Sequence, residues 1–366
     1  MGNSGTTPKP RRPDGGGAAG AASGGRRPGS QQTLDSDSDS DSPHEAQEEI
    51  EESHQEHAEN AKITDRQGHK MEERKETIVG HLEDDGFEIR EDSIYGSVLQ
   101  DTATGPLDED TDVDILVVLD EEEHGEWAKD GNGTRNALRS VKRTLQKKYP
   151  NHEVYIDRSV VTVEFSDFKV EVTPAFKYSA ANEPEEPGDP ATVGGVELPF
   201  HPGGRDDPNQ GYVIPDTYGE ESWVGTNPRK FQSIYETVNN KHNGKLQQVA
   251  VTAKKWNEKN GKPVSSFHMV NMAHKYFQED APANASTTEH MHRFFRNLPD
   301  YMQGETREPV YQERLDRGMS REEKRKAAEK AYSSQEKLRE AKKLQDQGKT
   351  EEAKEKYREV YGDEFN

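Results

Sequence analysis

Asp112-Val113-Asp114-Ile115-Leu116-Val117-Val118-Leu119 sets two carboxylates two residues apart at the head of an apolar run. The run from Val113 to Leu119 is short and almost wholly apolar, the pattern of a buried strand. Residues i and i+2 of a strand point to the same side, so Asp112 and Asp114 project together. Two divalent ions about 3.5–4 Å apart need shared oxygen ligands of this kind. Magnesium favours a few carboxylates completed by phosphates and water. A third acid would complete the set. Glu171 alternates with Val170 and Val172, so it faces away from them, on a strand expected to lie beside the first. A carboxylate in so apolar a strand is unfavourable unless paired or metal-bound. Pairing with Lys169 or another nearby base is the other reading of Glu171.

Gly96-Ser97 precedes the acid pair, just after Ile94-Tyr95. Glycine lets backbone N–H groups approach a phosphate closely, and serine adds a hydroxyl donor. The combination places a triphosphate above a metal site, suited to in-line attack of a hydroxyl on the α-phosphate with pyrophosphate leaving.

Outward from this centre the pattern is mixed. Ile63, Met71, Ile78, Val79 and Leu82 form one stripe of a long helix, closed by Asp84-Asp85-Gly86. Residues 134–148 read as a basic amphipathic helix. Glu153 to Asp157, Val160 to Phe165 and Phe168 to Thr173 read as strands, the last two joined by a Ser166-Asp167 turn. Residues 179–222 are rich in Pro, Gly, Asp and Glu, and read equally as a cover over the site or a surface insertion. Leu246, Val249, Ala250, Ala253 and Trp256 mark a helix, Pro263 interrupts, and a second apolar segment runs from Phe267 to Phe277. Charged helices follow from about Ser320, with Gly348 between the last two.

Composition bounds the rest. Hydrophobic residues make up only 29% of the 366 and charged ones 33%, so part of the chain lacks the means to build a core. Residues 1–60, which include the run Asp35-Ser36-Asp37-Ser38-Asp39-Ser40-Asp41, are expected to be a disordered acidic tail. Cysteine is absent, which excludes disulfides, thiol nucleophiles and cysteine-based zinc sites. No apolar stretch approaches a membrane span and no signal peptide opens the chain, so the expected compartment is the cytoplasm. The net charge of -22 repels nucleic-acid backbones and suits either a small substrate whose charge is carried by metal or a salt-rich cytoplasm.

The residues together resemble a known family. Gly96-Ser97-Val98-Leu99, Thr102-Ala103 and Asp112 to Val118 resemble the opening of the polymerase-β nucleotidyltransferase superfamily. Val170-Glu171-Val172-Thr173-Pro174-Ala175-Phe176 resembles the strand that carries its third acid, and the Pro-Ala ending is similar to the cGAS/DncV-like nucleotidyltransferases of antiphage (CBASS) systems. Lys254-Lys255-Trp256-Asn257 and Ser265-Ser266-Phe267-His268 are similar to that family's Lys-x-Trp helix and Ser-aromatic step. The ending Tyr361-Gly362-Asp363-Glu364-Phe365 resembles its C-terminal tail.

The resemblance implies an α+β fold: a polymerase-β-like catalytic domain with a mixed sheet at 61–220, and a helical, oligoadenylate-synthetase-like domain at 221–366. It implies two Mg²⁺ or Mn²⁺ ions on Asp112, Asp114 and Glu171, and nucleotide contacts from Gly96, Ser97, Lys254, Ser266 and Phe267. The implied reaction turns ribonucleoside triphosphates such as ATP or GTP into a cyclic di- or trinucleotide, with accessory or effector proteins as partners. A linear oligoadenylate, transfer of a nucleotide to a protein or small molecule, and a catalytically silent scaffold are the rivals. Lys254 reads also as the solvated flank of a helix, Phe267 as core and Ser266 as a helix N-cap. Two departures stand out: Glu in place of Asp as third acid, and Gln100-Asp101 where a basic residue is common. Without cysteines for a zinc ribbon and without a basic surface, DNA sensing is not expected.

Overall fold

The computed structural model describes residues 41–366 apart from 110, 130–131, 178–190, 194–195, 199–210 and 218–221. The described residues fall in one compact unit. It opens with helix α1 (Pro43–Asn60), inside the stretch expected to be disordered. Ser42 and Glu45 close a capping box across the first turn, 3.2 Å from Glu45 N to Ser42 Oγ and 2.9 Å back, and Pro43 sits where its missing N–H does no harm. Ala46, Ile50, His54, His57 and Ala58 are buried along one face. The acid-rich composition hid that stripe. The remainder of the expected tail, 1–40, lies outside the described residues.

Helix α2 (Asp65–Asp84) follows the expected stripe and ends at Gly86, whose φ of +95° suits glycine. Strands β1 (Ile89–Ile94) and β2 (Asp112–Leu119) come next, then short helices α3 (Glu121–His124) and α4 (Glu126–Lys129), and the amphipathic α5 (Gly133–Lys148). Strands β3 (Val154–Asp157), β4 (Val160–Glu164) and β5 (Lys169–Lys177) follow. A two-stranded ribbon, β6 (Ala191–Val193) with β7 (Val196–Leu198), lies apart from the main sheet. Strands β8 (Tyr212–Asp216) and β9 (Ser222–Thr226) return to that sheet. The helices α6 (Pro228–Lys241), α7 (Lys245–Lys259), α8 (Ser266–Glu279), α9 (Thr287–Gln303), α10 (Arg321–Gln345) and α11 (Thr350–Tyr361) complete the chain.

The main sheet runs β1-β2-β5-β4-β3, with β8 on β5 and β9 on β8. Only β2–β5 is parallel, so the sheet is mixed, as expected. Val113, Ile115, Val117, Val170 and Val172 point to one face and bury against Met71 and Leu82 of α2 and Leu138, Val141 and Leu145 of α5. A second core lies among α6 to α11 and takes in Ile50 of α1. Two expected boundaries therefore move. Residues 43–60 belong to the helical body, and β9 keeps the chain in the sheet to Thr226, beyond the expected division at 220. Most of the segment 179–222 lies outside the described residues.

Candidate active site

The parallel pairing of β2 with β5 sets Asp114 opposite Glu171 and Asp112 opposite Lys169. Neighbouring strands lie about 4.8 Å apart, so two carboxyls on one face at matched positions cannot both stay charged without strong repulsion. Burial pushes the Asp114 carboxyl up and the charge of Asp112 adds to it, with Lys254 pulling the other way. Burial likewise raises Glu171, reinforced by Asp114 and Asp112. Hydrogen bonding with Glu171 also works against the rise of Asp114. Lys169 reaches Glu164, at 3.6 Å, and its charge works against the rise of Glu171.

Below this pair, Tyr95 Oη and Thr173 Oγ1 share a 2.7 Å hydrogen bond. On the other flank, Thr162 sits opposite Glu171 and its buried hydroxyl finds no hydrogen-bond partner.

The Gly-Ser turn lies against the acids. Tyr95 N donates to Asp114 O at 3.0 Å, and Thr102 N closes the turn on Ser97 O at 2.9 Å. Gly96 has φ +66°, and a Cβ there would stand 2.3 Å from Asp114 Oδ2, so only glycine lets the carboxylate rest where it does. Asp101 faces Lys62 at 3.6 Å, and its carbonyl accepts a 2.9 Å hydrogen bond from Gln247, which accounts for an acid where a base was expected.

Lys254 comes from α7. It is 3% exposed, and its Nζ donates to Thr102 O at 2.7 Å, so it is no solvated flank. Burial lowers its pKa to about 8, against the attraction of Glu258 and Asp114. Ser265, not Ser266, caps α8, with Ser265 Oγ accepting from His268 N at 3.2 Å. Ser266 is the first residue of that helix, where free N–H groups suit an anion. Phe267 is 38% exposed and rests edge-on to Phe231 at 5.2 Å, so it is not core.

Sequence reasoning missed Lys262, whose Nζ lies 3.7 Å from Asp112 Oδ2. The turn signal Asn260-Gly261 before it was available. Among the described residues no three His, Asp or Glu side chains close around one metal position. The chemistry of the donors nonetheless fits a hard divalent cation: opposed, self-repelling carboxyls, an orphaned buried hydroxyl and a glycine cradle.

Residues 49–187 match the Second Messenger Oligonucleotide or Dinucleotide Synthetase domain. This segment is similar to the second-messenger oligonucleotide and dinucleotide synthetases. Its fold resembles solved structures of low identity. CdnC of E. coli MS115-1, solved with ATP and also in a complex with HORMA-deltaN, superposes with a TM-score of 0.59 in the ATP form at 16% identity, covering 86% of this chain and 98% of that one. CdnG of Bradyrhizobium diazoefficiens with GTP gives 0.57 at 12% identity, covering 85% and 99%. The Vibrio cholerae cyclic AMP-GMP synthase DncV gives 0.53 at 14% identity, covering 88% of each. No curated protein sequence matches the chain. Among the described residues no helix is long and apolar enough to cross a membrane.

Proposed function

We propose that the enzyme converts ribonucleoside triphosphates into a cyclic di- or trinucleotide with release of pyrophosphate, in the cytoplasm, as a signal in antiphage defence. The observation that carries the reading is the register of β2 and β5, which sets Asp114 against Glu171 at the mouth of the Gly96-Ser97 turn. Asp112, Asp114 and Glu171 would hold two Mg²⁺ or Mn²⁺ ions. When bound, these supply positive charge that offsets the charge developing on the triphosphate.

The remaining work falls to the chain's own groups. Backbone N–H groups of the Gly96-Ser97 turn and the Ser266 end of α8 bind the donor phosphates. Lys254 props the turn through Thr102 and adds a charge beneath it. Phe267 offers an exposed ring for base stacking, worth about 1–3 kcal/mol per base. The acceptor hydroxyl attacks the α-phosphorus, the bond to the bridging oxygen breaks, pyrophosphate leaves, and the hydroxyl proton passes to a carboxylate of the site. A ring requires two such transfers, with the linear intermediate rebound turned around. The solved complexes of CdnC with ATP and with HORMA-deltaN, and of CdnG with GTP, support nucleotide substrates and an accessory partner here.

The test is mass spectrometry of products from all four ribonucleoside triphosphates with Mg²⁺ or Mn²⁺. A cyclic oligonucleotide that disappears in Asp112→Ala is expected. Only linear or protein-attached nucleotide would move the chain to a different transfer reaction, and full activity in Asp112→Ala would remove the metal-site assignment.

A further inference from the structure

Lys262 is held in an unusual way. Its φ is +48°, directly after Gly261 at +77° and directly before Pro263. A side chain in the left-handed region is disfavoured, and the residue before a proline is normally extended. Strain of this kind persists where the surroundings enforce it, and it clusters at functional positions. Here the α7 end enforces it. Gly261 N bonds to Glu258 O at 2.9 Å and Lys262 N to Asn257 O at 2.7 Å, which turns the chain back across the top of β2. The result is an ammonium from the helical body 3.7 Å from Asp112 Oδ2, with both side chains less than half exposed. Both residues make other polar contacts as well.

Of the three acids, Asp114 and Glu171 face each other, while Asp112, at the head of β2, lies within ion-pair distance of Lys262. Burial chiefly lowers the pKa of Lys254, and the charges of Lys255 and Lys262 add to it.

We propose that Lys262 is a resident counter-charge that competes with the incoming cation for Asp112, so that the site takes up metal together with the nucleotide rather than ahead of it. The inference rests on reading Asp112 as a metal ligand. A monovalent ammonium on a four-carbon stem satisfies one carboxylate and can be displaced by a divalent ion that brings its own phosphates. A triphosphate entering above the Gly96-Ser97 turn then offers Lys262 a second anion to face. Lys262 is therefore a positioning residue, acting on the reaction through Asp112.

The experiment measures Mn²⁺ binding to the full chain by the electron-spin resonance signal of free Mn²⁺, with and without a non-hydrolysable ribonucleoside triphosphate. In the absence of nucleotide, Lys262→Met is expected to bind Mn²⁺ about fivefold more tightly than the wild type, the scale of a partly exposed ion pair. Lys262→Arg should stay near the wild type. The gain should vanish when Asp112→Asn is added, which separates the site from weak binding to an acidic surface. With the nucleotide analogue present, Lys262→Met should lose most of its advantage. If Asp112→Asn weakens Mn²⁺ binding but Lys262→Met leaves it unchanged or weaker, the counter-charge proposal is overturned and the metal site stands. If Asp112→Asn leaves Mn²⁺ binding untouched, the metal-site reading itself fails.

Discussion

Asp114→Asn should make the metal-free protein more stable at neutral and alkaline pH while abolishing turnover. The carboxyls of Asp114 and Glu171 are raised above their ordinary values by burial first and mutual repulsion second. A folded acid with a raised pKa binds more protons than its unfolded counterpart. Stability therefore falls as pH climbs from about 4, where unfolded carboxyls ionise, through neutrality. Two unit charges about 5 Å apart at an effective dielectric of about 20 repel by about 3 kcal/mol, and partial access of water reduces this to about 1–2 kcal/mol. Asparagine has nearly the same shape, leaves the Gly96 contact in place and can donate to Glu171. The expected gain is about 2–5 °C in Tm at pH 8 in EDTA, shrinking towards zero at pH 5. Differential scanning fluorimetry at the two pH values reads it directly. Adding Mn²⁺ should raise the wild-type Tm and leave the variant behind. A variant that melts at or below the wild type at pH 8, or whose increment is the same at pH 5, would refute the opposed-carboxyl reasoning.

Three further outcomes follow from the described contacts. Gly96→Ala should cut turnover by about a hundredfold or more, because its Cβ would displace Asp114 Oδ2, and should lower stability by about 1–2 kcal/mol through the positive φ; kcat and urea melts check both. Glu51→Gln should loosen α1. Burial works against this carboxylate, but the amides of Thr288 and Thr287, each at 2.8 Å, hold it well below the usual range, so the variant should lose about 1–2 kcal/mol and show faster hydrogen exchange over 43–60. Metal-free nucleotide affinity should weaken as pH rises through about 8, where Lys254 loses its charge, whereas Lys254→Arg should flatten that dependence; equilibrium dialysis from pH 7 to 9.5 decides it.

Much of the catalytic sheet was legible because its signals are local. The apolar run of β2, the alternation around Glu171 and the Gly96-Ser97 turn each carry their own periodicity or turn chemistry, and the sheet joined them as that pattern implied. β1 was not legible. Ile89-Arg90-Glu91-Asp92-Ser93-Ile94 has neither alternation nor an apolar run, and it is a strand because β2 offers it an edge. α1 was overlooked for a different reason. Its capping box and its Ala46-Ile50-His57-Ala58 face were present in the sequence but lay inside an acidic stretch read by composition alone. Lys262 could not be placed from spacing, since its proximity to Asp112 depends on how the end of α7 comes back over the sheet.

The position of α1 has a consequence for how the two lobes are joined. Its buried face meets Tyr357, Tyr361 and Phe365 from the far end of the chain, through the rings of His54 and His57. Topologically the catalytic lobe is thus an excursion from a helical body that begins and ends together. Two covalent crossings link them, one at Ala61–Ile63 and one at Asn227, where a chain with a helical half appended after the catalytic half would have a single crossing. A single tether permits twisting in any sense. A double one restricts such twisting, and Lys262, on the helical side, stands 3.7 Å from Asp112 of the sheet.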